Sequence, residues 1–281
     1  MLGIFSSTFV TLAAEPGISH FVYLQDGIDD FQSLEKQIAI EVWNEWVAQS
    51  GDYSISTHPA ATMPDFFKLI EKRKIDYALL DSSSFVRYYS QLKPNLTGET
   101  WGVQRSDKAY EEYVLLTRKE SNVTEINKLK GTTLSLYPDY GLLSMYLDNL
   151  IMKVSHRSPD NFFNVIREVK TESQAILDVF FGYSDVCLVA KHVLDAAIEL
   201  NPAIRDKLKI IHRSGEKFIP VIYIAFNNVS DIEQIRFNKA MKKLNNTARG
   251  QQMLNLFGVQ AIKKINQEKL YPMLKLNTRL H

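Results

Sequence analysis

The sequence predicts an α/β fold of two lobes, each a mostly parallel sheet flanked by helices, joined by two crossing strands. Three observations carry this. From Ser19 onward strand-like and helix-like segments alternate, the pattern of a parallel sheet with covering helices. That rhythm runs through residues 18–117 and again through 130–212. A last apolar run, Ile219 to Phe226, and the helices behind it then return to complete the first lobe. No sequence repeat accompanies the second pass, so the architecture recurs without duplication.

The elements follow in order. His20-Phe21-Val22-Tyr23-Leu24 reads as a buried strand that Gln25-Asp26-Gly27 ends. Phe31, Leu34, Ile38, Val42 and Trp46 recur at three and four residues, one face of a helix that Gly51 follows. Tyr53 to Thr57 alternates as a second strand. Thr62 with Pro64 opens a helix that turns Met63, Phe66, Phe67 and Ile70 inward; proline is tolerated in a first turn, where its missing N–H has no partner anyway. Ile75 to Leu80 is the third strand, and Asp81-Ser82-Ser83-Ser84 is a cluster of N-cap residues before another helix. Asn95 to Asp107 reads as a polar connection, and Glu112 to Arg118 as a strong strand.

In the second pass, Leu129 to Leu136 is a turn and strand, followed by a helix marked by Leu143, Tyr146, Leu147, Leu150 and Ile151. Phe163 to Val169 is a strand, Ser173 to Phe181 a helix stopped by Gly182, and Asp185 to Ala190 a strand leading into a helix through Ile198. Ile210 to His212 and Ile219 to Phe226 are apolar runs, and the tail reads as helix through Met241, Leu244, Met253, Leu254 and Phe257. The predicted lobes are 17–117 plus 225–281, and 118–224, with the crossing near Thr117 and Phe226.

Composition narrows the function. Apolar residues make up 45% and charged residues 23% of 281, an ordinary globular balance large enough to bury a core without disulfides. A net charge of +1, with basic residues spread along the chain, argues against a nucleic-acid partner, whose affinity comes from neutralising phosphates. Lys72-Arg73-Lys74 and Lys242-Lys243 read as solvated helix ends. The single cysteine, Cys187, sits in Val186-Cys187-Leu188-Val189 and reads as a small buried hydrophobe. No run approaches the roughly 18 apolar residues of a membrane span. Residues 1–16, with the small residues Ala13 and Ala14 near their end, read as the remnant of an export signal, a frayed terminal segment being the alternative.

No catalytic motif is present: neither GxSxG, nor a phosphate-binding GxxxxGK[ST] loop, nor GxGxxG. The six histidines show no metal-site spacing. No enzyme activity, cofactor or metal is expected.

Four stretches carry a family resemblance across His20 to Leu274. They are Ile75-Asp76-Tyr77-Ala78-Leu79-Leu80 after a helix bearing Trp43; Tyr113 to Ser121 with Leu129-Lys130-Gly131; Gln174 to Asp185; and Gly250 to Gly258 with Tyr271-Pro272-Met273-Leu274 beyond it. In order and spacing the chain resembles the type II periplasmic solute-binding fold, and within it the phosphate- and phosphonate-type binding proteins of ABC transporters. The resemblance implies a monomer outside the cytoplasm that closes on a small polar solute and delivers it to a membrane permease. A sensing domain of a signalling receptor is the alternative, and an enzyme on the same fold a third. One departure stands out. Where relatives carry a hydroxyl-rich turn after the first strand of lobe two, this chain has Ser135-Leu136-Tyr137-Pro138-Asp139-Tyr140-Gly141.

In open α/β sheets ligands bind beyond the carboxyl ends of strands. That rule selects Gln25 and Asp26 after the first strand, His58 after the second, and Asp81, Ser82, Ser83 and Ser84 after the third. In lobe two it selects Tyr137, Asp139, Tyr140 and Glu172. Each has a local alternative: the serines cap a helix, Asp139 and Tyr140 make a turn before Gly141, and Glu172 favours a helix dipole.

Overall fold

The structure, a computed structural model, describes residues 18–25, 34–51, 54–72, 75–104, 110–138, 141–215 and 218–276. The first part holds β1 (Ile18–Leu24), α1 (Leu34–Gly51), β2 (Ser54–Ala60), α2 (Met63–Lys72) and β3 (Tyr77–Asp81). The short helices α3 (Ser82–Arg87) and α4 (Tyr89–Leu92) follow, then β4 (Leu96–Gln104). The middle holds β5 (Tyr113–Arg118), β6 (Thr133–Leu136), α5 (Leu142–Ser155), α6 (Pro159–Phe162), β7 (Val165–Glu168) and α7 (Glu172–Phe181). It ends with β8 (Val186–Ala190), α8 (Lys191–Leu200), α9 (Ala203–Lys207) and β9 (Leu208–Arg213). The last part holds β10 (Val221–Phe226), α10 (Asp231–Asn246), α11 (Ala248–Leu256), β11 (Ala261–Ile265) and α12 (Tyr271–Leu274).

The strands form two sheets with helices packed on them, ordered β11-β4-β10-β3-β1-β2 and β7-β6-β8-β5-β9. In the first, β1 pairs in parallel with β2 and β3, while β10 runs antiparallel between β3 and β4. In the second, β6 pairs in parallel with β7 and β8, while β5 runs antiparallel between β8 and β9. The strand–helix–strand units are therefore parallel, and each strand that follows a change of sheet is antiparallel. β10 is buried at every residue, as its unbroken apolar sequence requires at the centre of a covered sheet.

The chain changes sheets between Gln104 and Tyr113 and again between Arg213 and Val221, rather than at Thr117 and Phe226. Thr117 lies inside β5 and Phe226 closes β10. Among the described residues, the two connecting stretches pair through reciprocal backbone bonds between Glu111 and Phe218.

Two strands run where the sequence shows a polar connection and a helical tail. β4 occupies Leu96–Gln104, and β11 pairs with it along Ala261–Ile265. β4 turns Trp101 and Val103 into the helix-covered core, and its composition hides this because the opposite face includes glycine. A Cβ on Gly102 would lie 2.4 Å from Ile265 Cδ1 and 2.9 Å from Ile219 Cγ2, so the bare backbone admits both side chains.

One apolar cluster joins the two sheets, running from Val22, Leu80 and Ile222 to Leu115, Leu134 and Leu188. α3 packs against α5 within it. Local capping matches the sequence. Thr171 accepts from Gln174 N at the start of α7, and Gly182 ends that helix at φ 84°. Ser230 and Glu233 form a reciprocal cap on α10.

Candidate functional site

The carboxyl ends of the parallel strands form two rims, one per sheet. On the first, Gln25 N donates to Ala60 O (2.9 Å), joining the ends of β1 and β2. β3 ends at Asp81, which caps α3: Asp81 Oδ1 accepts from Ser84 N at 2.9 Å and from Ser83 Oγ at 2.5 Å. Ser82 N donates to Pro220 O (3.0 Å), tying this corner to the second connection between the sheets. Asp81 is 4% exposed and Ser82 1%, yet among the described residues neither Asp81 Oδ2 nor Ser82 Oγ has a hydrogen-bond partner. A buried polar atom left unpaired costs about 1–3 kcal/mol, so two side by side at a strand end need an explanation.

On the second rim, Val169 N donates to Leu136 O (3.0 Å) where β6 and β7 end. Tyr137 is half-buried and packs against the cluster of Val169, Ala175 and Ile176. The carboxylate of Glu172 accepts from Ala190 N, joining the first turn of α7 to the end of β8. Glu172 therefore has a backbone partner besides any solute. α5 opens just beyond this rim, at Leu142, and packs on α3 from the other rim. The two strand-end corners thus flank one inter-sheet contact.

One sequence expectation needs restating. His58 lies inside β2, not in the loop after it, and its ring meets His20 and Ser56. Arg118 donates to Val179 O (3.2 Å) and Ser184 O (2.9 Å), closing the turn between α7 and β8. Asp26, Asp139 and Tyr140, like the export segment and the expected helix start at Phe31, lie outside the described residues.

The sequence did not reveal an aromatic group at the connection between the sheets. Phe218 stacks on Tyr113 at 4.6 Å, and Tyr146 meets both. Tyr146 OH lies 2.8 Å from His212 Nε2. Burial, with Glu112 adding to it, pushes the Tyr146 phenol up to about 12. Its members come from four separate segments, so no local spacing announces them. Burial raises the Cys187 thiol strongly, with Glu172 and Asp178 adding to the effect, which leaves it a packing residue.

Two sheets joined by two connections, with strand ends gathered at their junction, define a two-lobed periplasmic-type binding protein. The chain belongs to the ABC transporter, phosphonate, periplasmic substrate-binding protein family, whose model matches residues 31–270. Its function is accordingly that of a solute-binding component of an ABC transporter, and the family is one of binding proteins rather than enzymes. No curated protein matches it. Among solved structures it is similar to XAC2383 from Xanthomonas citri bound to ATP (TM-score 0.67, 10% identity, 94% of this chain and 98% of that one). It is also similar to PhnD1 from Prochlorococcus marinus in complex with methylphosphonate (TM-score 0.59, 12% identity, 94% and 98%). A binding protein component of an ABC phosphonate transporter from Pseudomonas aeruginosa gives a TM-score of 0.57 at 16% identity, over 93% and 85%. At these identities the likeness is one of fold. Among the described residues no helix is long and apolar enough to cross a membrane.

Proposed function

We propose that this chain captures a neutral or cationic small solute between its lobes, outside the cytoplasm, and passes it unaltered to an ABC-type permease. The lobes divide within 105–112 and 214–220, where the chain changes sheets. The observation that carries the charge assignment is the unpartnered pair Asp81 Oδ2 and Ser82 Oγ at the end of β3. A buried carboxyl oxygen beside a hydroxyl favours a ligand that donates hydrogen bonds over one that brings its own anionic oxygens. The sequence Tyr137-Pro138-Asp139-Tyr140 offers a second carboxylate for such a ligand, with Tyr137 or Tyr140 as an aromatic partner. Two unlike charges about 4 Å apart gain on the order of 4 kcal/mol at an effective dielectric near 20, and like charges lose as much. An aromatic wall adds about 0.5–2 kcal/mol for an amine.

The family and the sequence of residues 1–16 support export, and the net charge of +1 argues against a nucleic-acid partner. Fractionation that finds the native protein only in cytoplasm overturns the export assignment. The charge assignment is tested by calorimetry with phosphate, methylphosphonate and amine-bearing solutes on wild type, Asp139→Asn and Asp81→Asn. Amine-bearing solutes should bind wild type and weaken in both variants. Tight phosphonate binding that survives or improves in Asp139→Asn overturns it. A solute at 100 times its Kd adds about 2.7 kcal/mol of stability, so a thermal-shift screen without a single responder overturns capture itself.

A further inference from the structure

Away from the strand ends, the face of the first sheet gathers three polar side chains from its outer two strands. β2 is the edge strand, and His20 lies opposite Ser56 while Val22 lies opposite His58. Residues two apart share a face, so His20, Ser56 and His58 project to one side. His20 Nδ1 lies 3.1 Å from His58 Nε2, and Ser56 Oγ lies 3.3 Å from that same nitrogen. The rings are stacked, 5.3 Å between centroids at 26°. His20 is also held by its backbone, whose N–H donates to Asp76 Oδ2 at 2.7 Å, while Asp76 Oδ1 accepts from Asn228 at 2.6 Å. Both residues are half-buried.

Two neutral imidazoles in this arrangement share one proton between facing nitrogens. The same separation suits a shared metal ion. Two nitrogens 3.1 Å apart, each about 2.0–2.1 Å from one ion, subtend about 98° at it, between the square and tetrahedral values. Imidazole selects zinc, copper and nickel over magnesium and calcium, which take oxygen ligands. The Asp76 carboxylate on the backbone of His20 adds negative potential nearby. Among the described residues no group of three or more histidine, cysteine, aspartate or glutamate side chains could hold a metal, so two imidazoles supply the affinity and water completes the shell.

We infer that His20 and His58, with Ser56 beside them, form a two-imidazole site for a divalent first-row ion, ordered Cu²⁺ before Ni²⁺ and Zn²⁺. The site stands whether or not the cleft takes a solute.

The test is calorimetric titration of the full chain with CuCl₂, NiCl₂, ZnCl₂ and MgCl₂ at pH 7.5, on wild type, His20→Asn and His58→Gln. The expected result is one ion per chain for the first three, none for Mg²⁺, and loss of that binding in each variant. Either variant counts only if its Tm in EDTA matches wild type. Should a variant not fold, NMR of wild type with substoichiometric Zn²⁺ decides alone. The ring signals of His20 and His58 moving first supports the site; those of His156, His192, His212 or His281 moving first overturns it. Absence of heat with all three ions, or binding unchanged in both variants, overturns it as well.

Discussion

Ser82 and Ser83 are neighbours in one short helix, and the structure gives their hydroxyls opposite energetic roles. Ser82 Oγ is buried without a partner among the described residues, and a hydroxyl in that state costs about 1–3 kcal/mol. Ser82→Ala should therefore leave stability unchanged or raise it by up to that amount. Ser83 Oγ donates to Asp81 Oδ1 at 2.5 Å, a bond to a charged group worth about 1.5–3 kcal/mol. Ser84 N remains on the same oxygen when it is lost, so Ser83→Ala should cost the lower part of that range. The assay is urea unfolding of both variants, compared at constant slope, with a thermal-shift screen of solutes alongside. If Ser82 serves a ligand, Ser82→Ala keeps its stability and loses the ligand-induced shift, whereas Ser83→Ala loses stability first. A Ser82→Ala protein destabilised by more than about 1 kcal/mol would refute the reasoning, because the hydroxyl would then be making a stabilising bond in the native state.

Phe218→Ala removes a ring that is 2% exposed and stacked on Tyr113, and should cost about 3–5 kcal/mol in urea unfolding; a loss under about 1 kcal/mol would show that the connection between the lobes carries little packing energy. Gly182→Ala forces a residue with a side chain to φ 84° beside Arg118 and should cost about 1–3 kcal/mol, with a lowered Tm as the readout. Burial, and then Asp160, raise the Asp148 carboxyl above its ordinary value, so this group favours the folded state when protonated and opposes it once ionised. Asp148→Asn should accordingly raise the urea midpoint more at pH 7 than at pH 3, and an equal gain at both pH values would exclude the linkage. The Tyr146 phenol stabilises the fold below pH 10 and loses that contribution as pH rises through about 12; Tyr146→Phe should remove this part of the alkaline destabilisation seen in a pH series of Tm.

The strand–helix units were legible because their signals are local. The inward row of α2, the Gly182 stop and the Asp81 cap each depend on residues within about four positions. The departure at Tyr137-Pro138-Asp139-Tyr140 was legible in the same way, against the family's turn. The tertiary structure alone showed that Leu96–Gln104 is a strand, since its inward Trp101 and Val103 gain meaning only once β10 and β11 flank it. It alone moved the crossings away from Thr117 and Phe226, because strand membership is settled by which backbone lies alongside. It gave Arg118 the carbonyls of Val179 and Ser184, some sixty residues on. It set His58 against His20 across two strands, and Asp76 against Asn228 at a separation of 152 residues. Period and capping are short-range and can be read along the chain. Which polar group meets which is decided by packing between distant segments, and there the sequence by itself is silent.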